Sequence, residues 1–277
     1  MMPDQYAVIG NPIGHSKSPL IHSMFAKSTD QNIKYSAIEG PIDRVDGFEL
    51  KVREFLNAGG KGMNVTAPFK LRAYALADQL SERAKLAGAI NAMKFANGEI
   101  LGENFDGIGL LKDVQSNLKF SLTNKRVLLM GAGGAARGAL LPFIEANPAE
   151  LIVVNRDVAK ATKLVNEISS NVKLIACGYK DLTDQKFDIV FNATSASLTG
   201  ELPPLNPEVF THSGLAYELA YGKGLTPFLR LAQNAGVKRL ADGVGMLAEQ
   251  AAEAFQWWRG LRPSTSSVIQ LLTVPLK

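Results

Sequence analysis

The stretch KRVLLMGAGGAARGALL, residues 125–141, decides the fold. Val127 to Met130 is an unbroken apolar run, the pattern of a strand buried on both faces. Glycines follow at 131, 133 and 134, and then a small, apolar helix pattern. Gly131 permits a tight turn, and Gly133 lets backbone N–H groups approach a pyrophosphate at the positive end of the following helix. Ala136 stands where a third glycine is common, and alanine is small enough for helix and strand to pack closely there. A structural turn in an unrelated sheet is the plain alternative. The flanking strand and helix favour a dinucleotide, with Gly131, Ala132, Gly133, Gly134 and Ala135 as its cradle.

Downstream the rhythm continues. Strand-like ELIVVN, KLIACG, FDIVFN and LAYELAY follow, most of them separated by helical patterns, which predicts a Rossmann-type doubly wound parallel sheet over residues 107–242. ELIVVN ends at Asn155, where an NAD site usually presents an acid to the ribose 2′-hydroxyl. Here Arg156 and, one helical turn on, Lys160 can flank a 2′-phosphate instead, which points to NADP. Asp157 puts a carboxylate beside that phosphate unless it serves as a helix N-cap. After the fourth strand, NATSAS brings Ala193, Thr194 and Ser195 to the carboxyl edge of the sheet.

Upstream, YAVIG and KGMNV alternate with helices from about Pro19 and Phe69, so residues 1–106 form a second α/β domain. The tail, 243–277, holds GMLAEQAAEAFQWWRG, a helix ending at Gly260 that the nucleotide domain does not need, and is expected to return to the first domain. NPIGHSKSPLIH offers Ser16 and Ser18 ahead of Pro19, two hydroxyls able to hold a carboxylate or simply to cap a helix. His15, in a glycine-flanked loop, is given no role. NVTAPFK supplies Thr66 and Lys70, AGAIN supplies Asn91, and ENFDG supplies Asp106.

Taken in order with GAGGAAR, NR, NATS, Tyr221 and GMLAEQA, these motifs closely resemble the shikimate dehydrogenase family over nearly the whole chain. The resemblance implies reversible NADPH-dependent reduction of 3-dehydroshikimate to shikimate, on the route to aromatic amino acids. It implies Lys70 and Asp106 as the catalytic pair and Ser16, Ser18, Thr66, Asn91, Tyr221 and Gln250 as substrate ligands. Leu219, Gly243 and Glu82 align with cofactor-side positions. The chain departs from the family pattern at four places: Glu218 where aspartate is common, Leu219 for methionine, Ser197 for glycine, and Asp157 for threonine or serine. A quinate/shikimate dehydrogenase using NAD as well as NADP is an alternative, and so is a non-catalytic regulator binding NADP or a metabolite. Retention of both Lys70 and Asp106 counts against the latter.

The chemistry needs such a pair. Hydride delivery to a ketone builds negative charge on its oxygen, and a lysine ammonium can both stabilise and protonate it. Alcohol oxidation requires the lysine to accept the proton back. Without the family match, a surface ion pair is the ordinary reading of these two residues.

Composition limits the rest. At 277 residues, 46% hydrophobic and 20% charged, the chain reads as globular with two cores. A net charge of +4 without a basic run suits a small anionic substrate better than nucleic acid. One cysteine, Cys177, excludes an intrachain disulfide and reads as a core residue. Three histidines, His15, His22 and His212, without ligand spacing imply no metal. Trp257 and Trp258 read as packing residues. With neither a signal-like start nor an apolar span, the expectation is a cytoplasmic protein, monomer or homodimer, that does not engage a membrane.

Overall fold

The computed structural model describes residues 2–276. The chain divides into two compact units, one of the residues up to Gly109 with Ala248–Gln270, the other of Leu110–Leu247 with the residues from Leu271 on.

In the first unit the order is β1 (Asp4–Gly10), α1 (Ser18–Ser28), β2 (Ile33–Glu39), α2 (Gly47–Asn57), β3 (Gly60–Val65), α3 (Lys70–Leu76), β4 (Gln79–Leu80), α4 (Glu82–Ala87), β5 (Ala92–Ala96) and β6 (Glu99–Glu103). The sheet runs β2-β1-β3-β5-β6-β4. β5 is antiparallel to both its neighbours, and the other pairs are parallel. Two loops leave the carboxyl ends of β1 and β3 side by side. Thr66 N–H donates to the Ile9 carbonyl and Asn11 N–H to that of Ala67, both at 3.0 Å. The NPIGHSKS and NVTAPFK segments are therefore neighbours because their strands are.

Helix α5 (Asp106–Lys112) carries the chain into the second unit, where β7 (Arg126–Met130), α6 (Gly134–Glu145), β8 (Glu150–Val154), α7 (Val158–Asn166), β9 (Lys173–Cys177), β10 (Ile189–Asn192), β11 (Leu215–Glu218), α8 (Pro227–Asn234) and β12 (Leu240–Ala241) follow. Six parallel strands in the order β12-β11-β10-β7-β8-β9 make the doubly wound sheet expected from the sequence. Successive side chains point to opposite faces. Val127 and Leu129 enter one core with Phe143, Phe191 and Tyr217, while Leu128 and Met130 enter the other with Phe210 and Phe228. Burial on both faces is why VLLM shows no polar alternation. The strand order reverses between β7 and β10, and their carboxyl ends open the crevice where such sheets take ligands.

The chain returns through α9 (Val244–Arg259), which stops where Gly260 takes the left-handed conformation at φ 73°, and α10 (Ser266–Leu272) follows. The expected boundaries at 106/107 and 242/243 fall inside or beside α5 and α9, because continuous helices make both crossings. The tail also differs from expectation. Residues from Leu271 on group with the second unit, where Leu276 packs against the core containing Phe228 and Leu229.

Trp258 secures α9 within the first unit. Its indole N–H donates to the Met93 carbonyl at 2.9 Å, and its ring stacks on Tyr6 at 4.8 Å. Gly62 is glycine because a Cβ there would stand 2.5 Å from that indole nitrogen. Beside Trp258 lies His22, fully buried and stacked face to face on Tyr35 at 4.2 Å, with Phe25, Phe255 and Trp258 around it. Neither ring nitrogen has a hydrogen-bond partner. Burial in this aromatic box pushes its pKa down to about 3, so the folded ring is neutral.

That burial has a signed consequence for stability. An unfolded histidine protonates near pH 6.5, so between there and about 3 the unfolded chain holds a proton that the fold refuses. The contribution is intact above pH 6.5 and declines as pH falls, by roughly 1.4 kcal/mol per pH unit at most. Urea midpoints measured from pH 7 to 4.5 are expected to drop less steeply in His22→Phe than in the parent. Parallel slopes would locate the acid lability elsewhere.

Candidate active site

The second unit holds a cleft of about 550 Å³ at the switch point. One wall is the turn between β7 and α6. Gly131 has φ 106°, a conformation that disfavours any side chain, and a Cβ there would stand 3.1 Å from the Ala193 carbonyl oxygen after β10. A Cβ at Gly133 or Gly134 would project into open space, so these glycines leave the backbone accessible from the cleft. No side chain caps the first turn of α6. Its N–H groups and dipole are thus available to an anion.

All the residues read from the glycine turn line this cleft: Gly131, Ala132, Gly133, Gly134 and Ala135. Asn155, Arg156, Lys160, Ala193, Thr194 and Ser195 join them. Arg156 lies just past β8 and Lys160 in the first turn of α7, and both side chains are mostly exposed. Each also has a carboxylate neighbour, Glu201 at 3.5 Å from Arg156 and Asp157 at 3.9 Å from Lys160. Asp157 does cap α7, its Oδ1 accepting the Ala159 N–H at 3.1 Å. The Asn155 side chain donates to the Asp157 carbonyl at 2.9 Å and stiffens the same corner.

The first unit holds a polar cluster at the carboxyl ends of its central strands. Lys70, the first residue of α3, places Nζ 2.6 Å from Asp106 Oδ2. Asp106 is oriented from two sides. Asn91 Nδ2 donates to Oδ1 at 2.8 Å, and the Asp106 N–H donates to Asn104 Oδ1 at 3.1 Å. Asn91 is fixed in turn by donating to Gln250 Oε1 at 3.1 Å and accepting from the Phe105 N–H at 2.9 Å. Asp106 is largely sequestered while Lys70 keeps about a third of its side chain exposed. The lysine is held but reachable.

Ser16 and Thr66 belong to the adjoining loops and Ser18 opens α1, each partly exposed. Ser16 Oγ accepts the Ser18 N–H at 3.3 Å. Thr66 leans on the β1 strand end so closely that a Cβ on Gly10 would stand 2.4 Å from its methyl group. Tyr221 lies past β11 in the other unit and is exposed. Leu219 and Gly243 pack directly on one another, since a Cβ at Gly243 would overlap the Leu219 carbonyl, and they are not among the residues lining the cleft. Glu82 differs most from its cofactor-side alignment. It lies in the first unit on α4, outside the cleft, with its exposed carboxylate 2.7 Å from Lys85 one turn away.

Several residues were not read from the sequence. Asn64 accepts from the Tyr35 hydroxyl at 2.7 Å and donates to the Asn91 carbonyl at 3.2 Å, bracing the lysine cluster from below. Its position two residues before Thr66, on the same face of β3, was the available signal. Tyr179, Thr199, Glu201 and Pro203 complete the nucleotide cleft. Tyr179 was foreseeable, because β9 lies beside β8 and ends level with it. Among the described residues no cluster of histidine, cysteine, aspartate and glutamate could hold a metal ion, and no helix is long and apolar enough to cross a membrane. Cys177 is buried, with its thiol pushed up to about 11 by desolvation.

An open glycine turn followed by a pair of cations, with a lysine poised on a fixed carboxylate elsewhere in the chain, is the equipment of a two-domain, dinucleotide-dependent oxidoreductase. Known proteins agree. Residues 8–93 match the family described as shikimate dehydrogenase substrate binding domain, 112–199 the one described as shikimate / quinate 5-dehydrogenase, and 243–273 the shikimate 5'-dehydrogenase C-terminal domain. The chain is 54% identical over 271 residues to a shikimate dehydrogenase (NADP(+)) of Nitrosospira multiformis, covering 98% of each. Among solved structures, an Ael1 enzyme from Pseudomonas putida shares 62% identity at a TM-score of 0.96, over 99% of this chain and 100% of the other. Shikimate 5-dehydrogenase from Thermus thermophilus, solved with NADP(H) and shikimate, shares 30% at 0.84, over 98% of each chain. The chain belongs to the shikimate dehydrogenase family, as its motifs indicated.

The double position of Asp157, helix cap and neighbour of Lys160, can be separated by substitution. Asp157→Ala is expected to cost about 1 kcal/mol of stability in urea unfolding, the usual worth of an N-cap. Asp157→Ser keeps a capping oxygen without the charge, and should retain most of that stability while binding NADPH more tightly. Equal losses in both variants would mean that the carboxylate charge, not the cap, supports α7.

Proposed function

We propose that this chain is an NADP-dependent shikimate dehydrogenase, reducing 3-dehydroshikimate reversibly to shikimate on the route to chorismate and the aromatic amino acids. The observation that carries this reading is Lys70 Nζ held 2.6 Å from an Asp106 carboxylate that Asn91 orients, with Asn104 holding the Asp106 backbone N–H. The single cysteine, which leaves no intrachain disulfide to form, supports work in a reducing cytoplasm. The working form is a monomer or a homodimer.

The nucleotide cleft fits NADP on its own chemistry. Gly133 and Gly134 leave the turn open and α6 brings an uncapped N-terminus, which suits a pyrophosphate; Asn155, Arg156 and Lys160 line the same cleft, and their cations suit a 2′-phosphate. Ala132, Ala135, Ala193, Thr194 and Ser195 provide the remaining walls, with Leu219 and Gly243 toward the nicotinamide. Glu82, paired with Lys85 outside the cleft, is left out of this assignment. When bound, NADPH supplies the hydride.

The protein's part is binding and proton management. Ser16 and Ser18 hold the substrate carboxylate, while Thr66, Asn91, Tyr221 and Gln250 take its ring hydroxyls. Lys70 lies where its ammonium can stabilise the charge growing on the reacting carbonyl oxygen and give it a proton, completing the alcohol. In the oxidative direction Lys70 takes that proton from the hydroxyl. Asp106 aims the lysine by accepting from Nζ, and the amide of Asn91 keeps Asp106 from turning toward solvent.

The pairing of Arg156 with Glu201 and of Lys160 with Asp157 favours weak discrimination against NAD, as in the alternative reading of a quinate/shikimate dehydrogenase that uses both cofactors. A spectrophotometric assay of shikimate and quinate, each with NADP and NAD, separates the two. Turnover confined to shikimate with NADP supports the first.

Lys70→Ala is expected to reduce kcat by at least about a hundredfold with little change in the substrate KM, as for a contact made mainly in the transition state. Shikimate oxidation should accelerate toward alkaline pH in the parent under chemistry-limited conditions. Near-parental kcat in Lys70→Ala would remove the lysine from the reaction. Arg156→Ala should weaken NADPH about tenfold or more and NADH far less, the difference being the charge-assisted contacts to the 2′-phosphate.

A further inference from the structure

Behind the nucleotide cleft lies a polar network that the reaction above does not use. Glu218, the last residue of β11, is completely buried. Its Oε2 accepts from Asn192 Nδ2 at 2.9 Å, from Thr226 Oγ1 at 3.2 Å and from the hydroxyl of Ser197. Its Oε1 accepts the Ala220 N–H at 3.2 Å. Four donors converge on one carboxylate, which only accepts when ionised. Desolvation pushes the Glu218 carboxyl up from its ordinary range, and the donors from Ser197 and Asn192 oppose that rise.

The network reaches the cleft through Asn192, the last residue of β10. Asn192 Oδ1 accepts from the Thr194 N–H at 3.1 Å and from the Thr194 hydroxyl at 2.7 Å. The same hydroxyl accepts the Ala196 N–H at 3.4 Å. Thr194, Ser195 and Ala196 line the cleft, and Ala193 is the residue on which Gly131 closes. This wall is a loop beyond the last ladder bonds of β10, and side-chain hydrogen bonds from behind hold it. Glu218 and Ser197 are also two of the positions where the chain departs from its family's usual residues, and each is the other's partner.

We propose that Glu218 is a positioning residue for the dinucleotide site, and that Ser197 is its matched partner. Together they set the placement of the Thr194–Ala196 wall against the glycine turn. The proposal rests on the reading of this cleft as the NADP site. It adds a determinant of cofactor affinity that touches neither cofactor nor substrate.

A double-mutant cycle tests it in the full-length protein: Glu218→Gln, Ser197→Ala and the pair, with NADP affinity by calorimetry, kcat and KM with shikimate, and the thermal midpoint. Glutamine has nearly the same shape but turns one acceptor into a donor facing Asn192 and Ser197. Glu218→Gln is expected to weaken NADP about tenfold and Ser197→Ala about fivefold, with kcat at saturating cofactor within about twofold of the parent. The pair should be no weaker than Glu218→Gln alone, since the Ser197 hydroxyl acts through the carboxylate. Losses that multiply would overturn the proposal. So would a lowered thermal midpoint with unchanged NADP affinity, the mark of a merely structural network. If Glu218→Gln does not fold, Ser197→Ala decides alone, and unchanged affinity is negative. A parent chain that binds NADP without oxidising shikimate removes the proposed reaction and leaves this inference standing. A parent that binds no NADP overturns both.

Discussion

The second unit is organised by one close approach. At the point where the strand order reverses, the backbone of Gly131 passes the Ala193 carbonyl so closely that a Cβ would press on it, at a φ few other residues tolerate. That contact joins the ends of β7 and β10 into one rim. It forces the chain to turn sharply, and so α6 begins immediately with its N-terminus directed at the crevice. The apolar interior of the sheet explains why the rim exists at all. Strands covered on both faces leave only their ends for polar chemistry.

The first unit solves a different problem, which is to hold charged groups still without burying them entirely. Lys70 and Asp106 are oriented by amides rather than by further charges: Asn91, Asn104 and Gln250 in one layer, Asn64 beneath. Amides offer donors and acceptors in fixed directions without adding net charge, so the lysine feels one carboxylate and not a crowd of them. Under Asn64 the support becomes apolar, through Tyr35, His22 and the aromatic side chains of α9. The gradation from charge to amide to aromatic ring follows the fall in water access.

The sequence was most readable where a single residue type is demanded locally. Gly131 announced a left-handed turn, VLLM a strand covered twice, and Gly260 the end of α9, and each follows from backbone sterics or burial within a few residues. Asn155, Arg156 and Lys160 were legible as neighbours at the rim of the cleft because the strand ahead of them fixed where they must stand. Glu201 was not, since it meets Arg156 from a distant part of the chain; Asn64 carried only its place two residues before Thr66 as a signal, and Asn104 only its place two residues before the Asp106 N–H it accepts from. Chain position alone did not give Glu82's local partner, Lys85 one turn along α4. The tail after Leu271 was misplaced for a similar reason, because a short apolar segment does not say which core will accept it.

Trp258, described above as the pin of α9, has a second consequence. The chain contains two tryptophans, 257 and 258, and both lie on the part of α9 that belongs to the first unit. Their emission is thus a private signal of that unit, and Trp258 reports the inside of its core. The parallel sheet of the other unit has no tryptophan of its own, so its melting is visible to circular dichroism and silent in indole fluorescence. Two ordinary spectra recorded on one sample can therefore tell whether the units unfold together or one at a time.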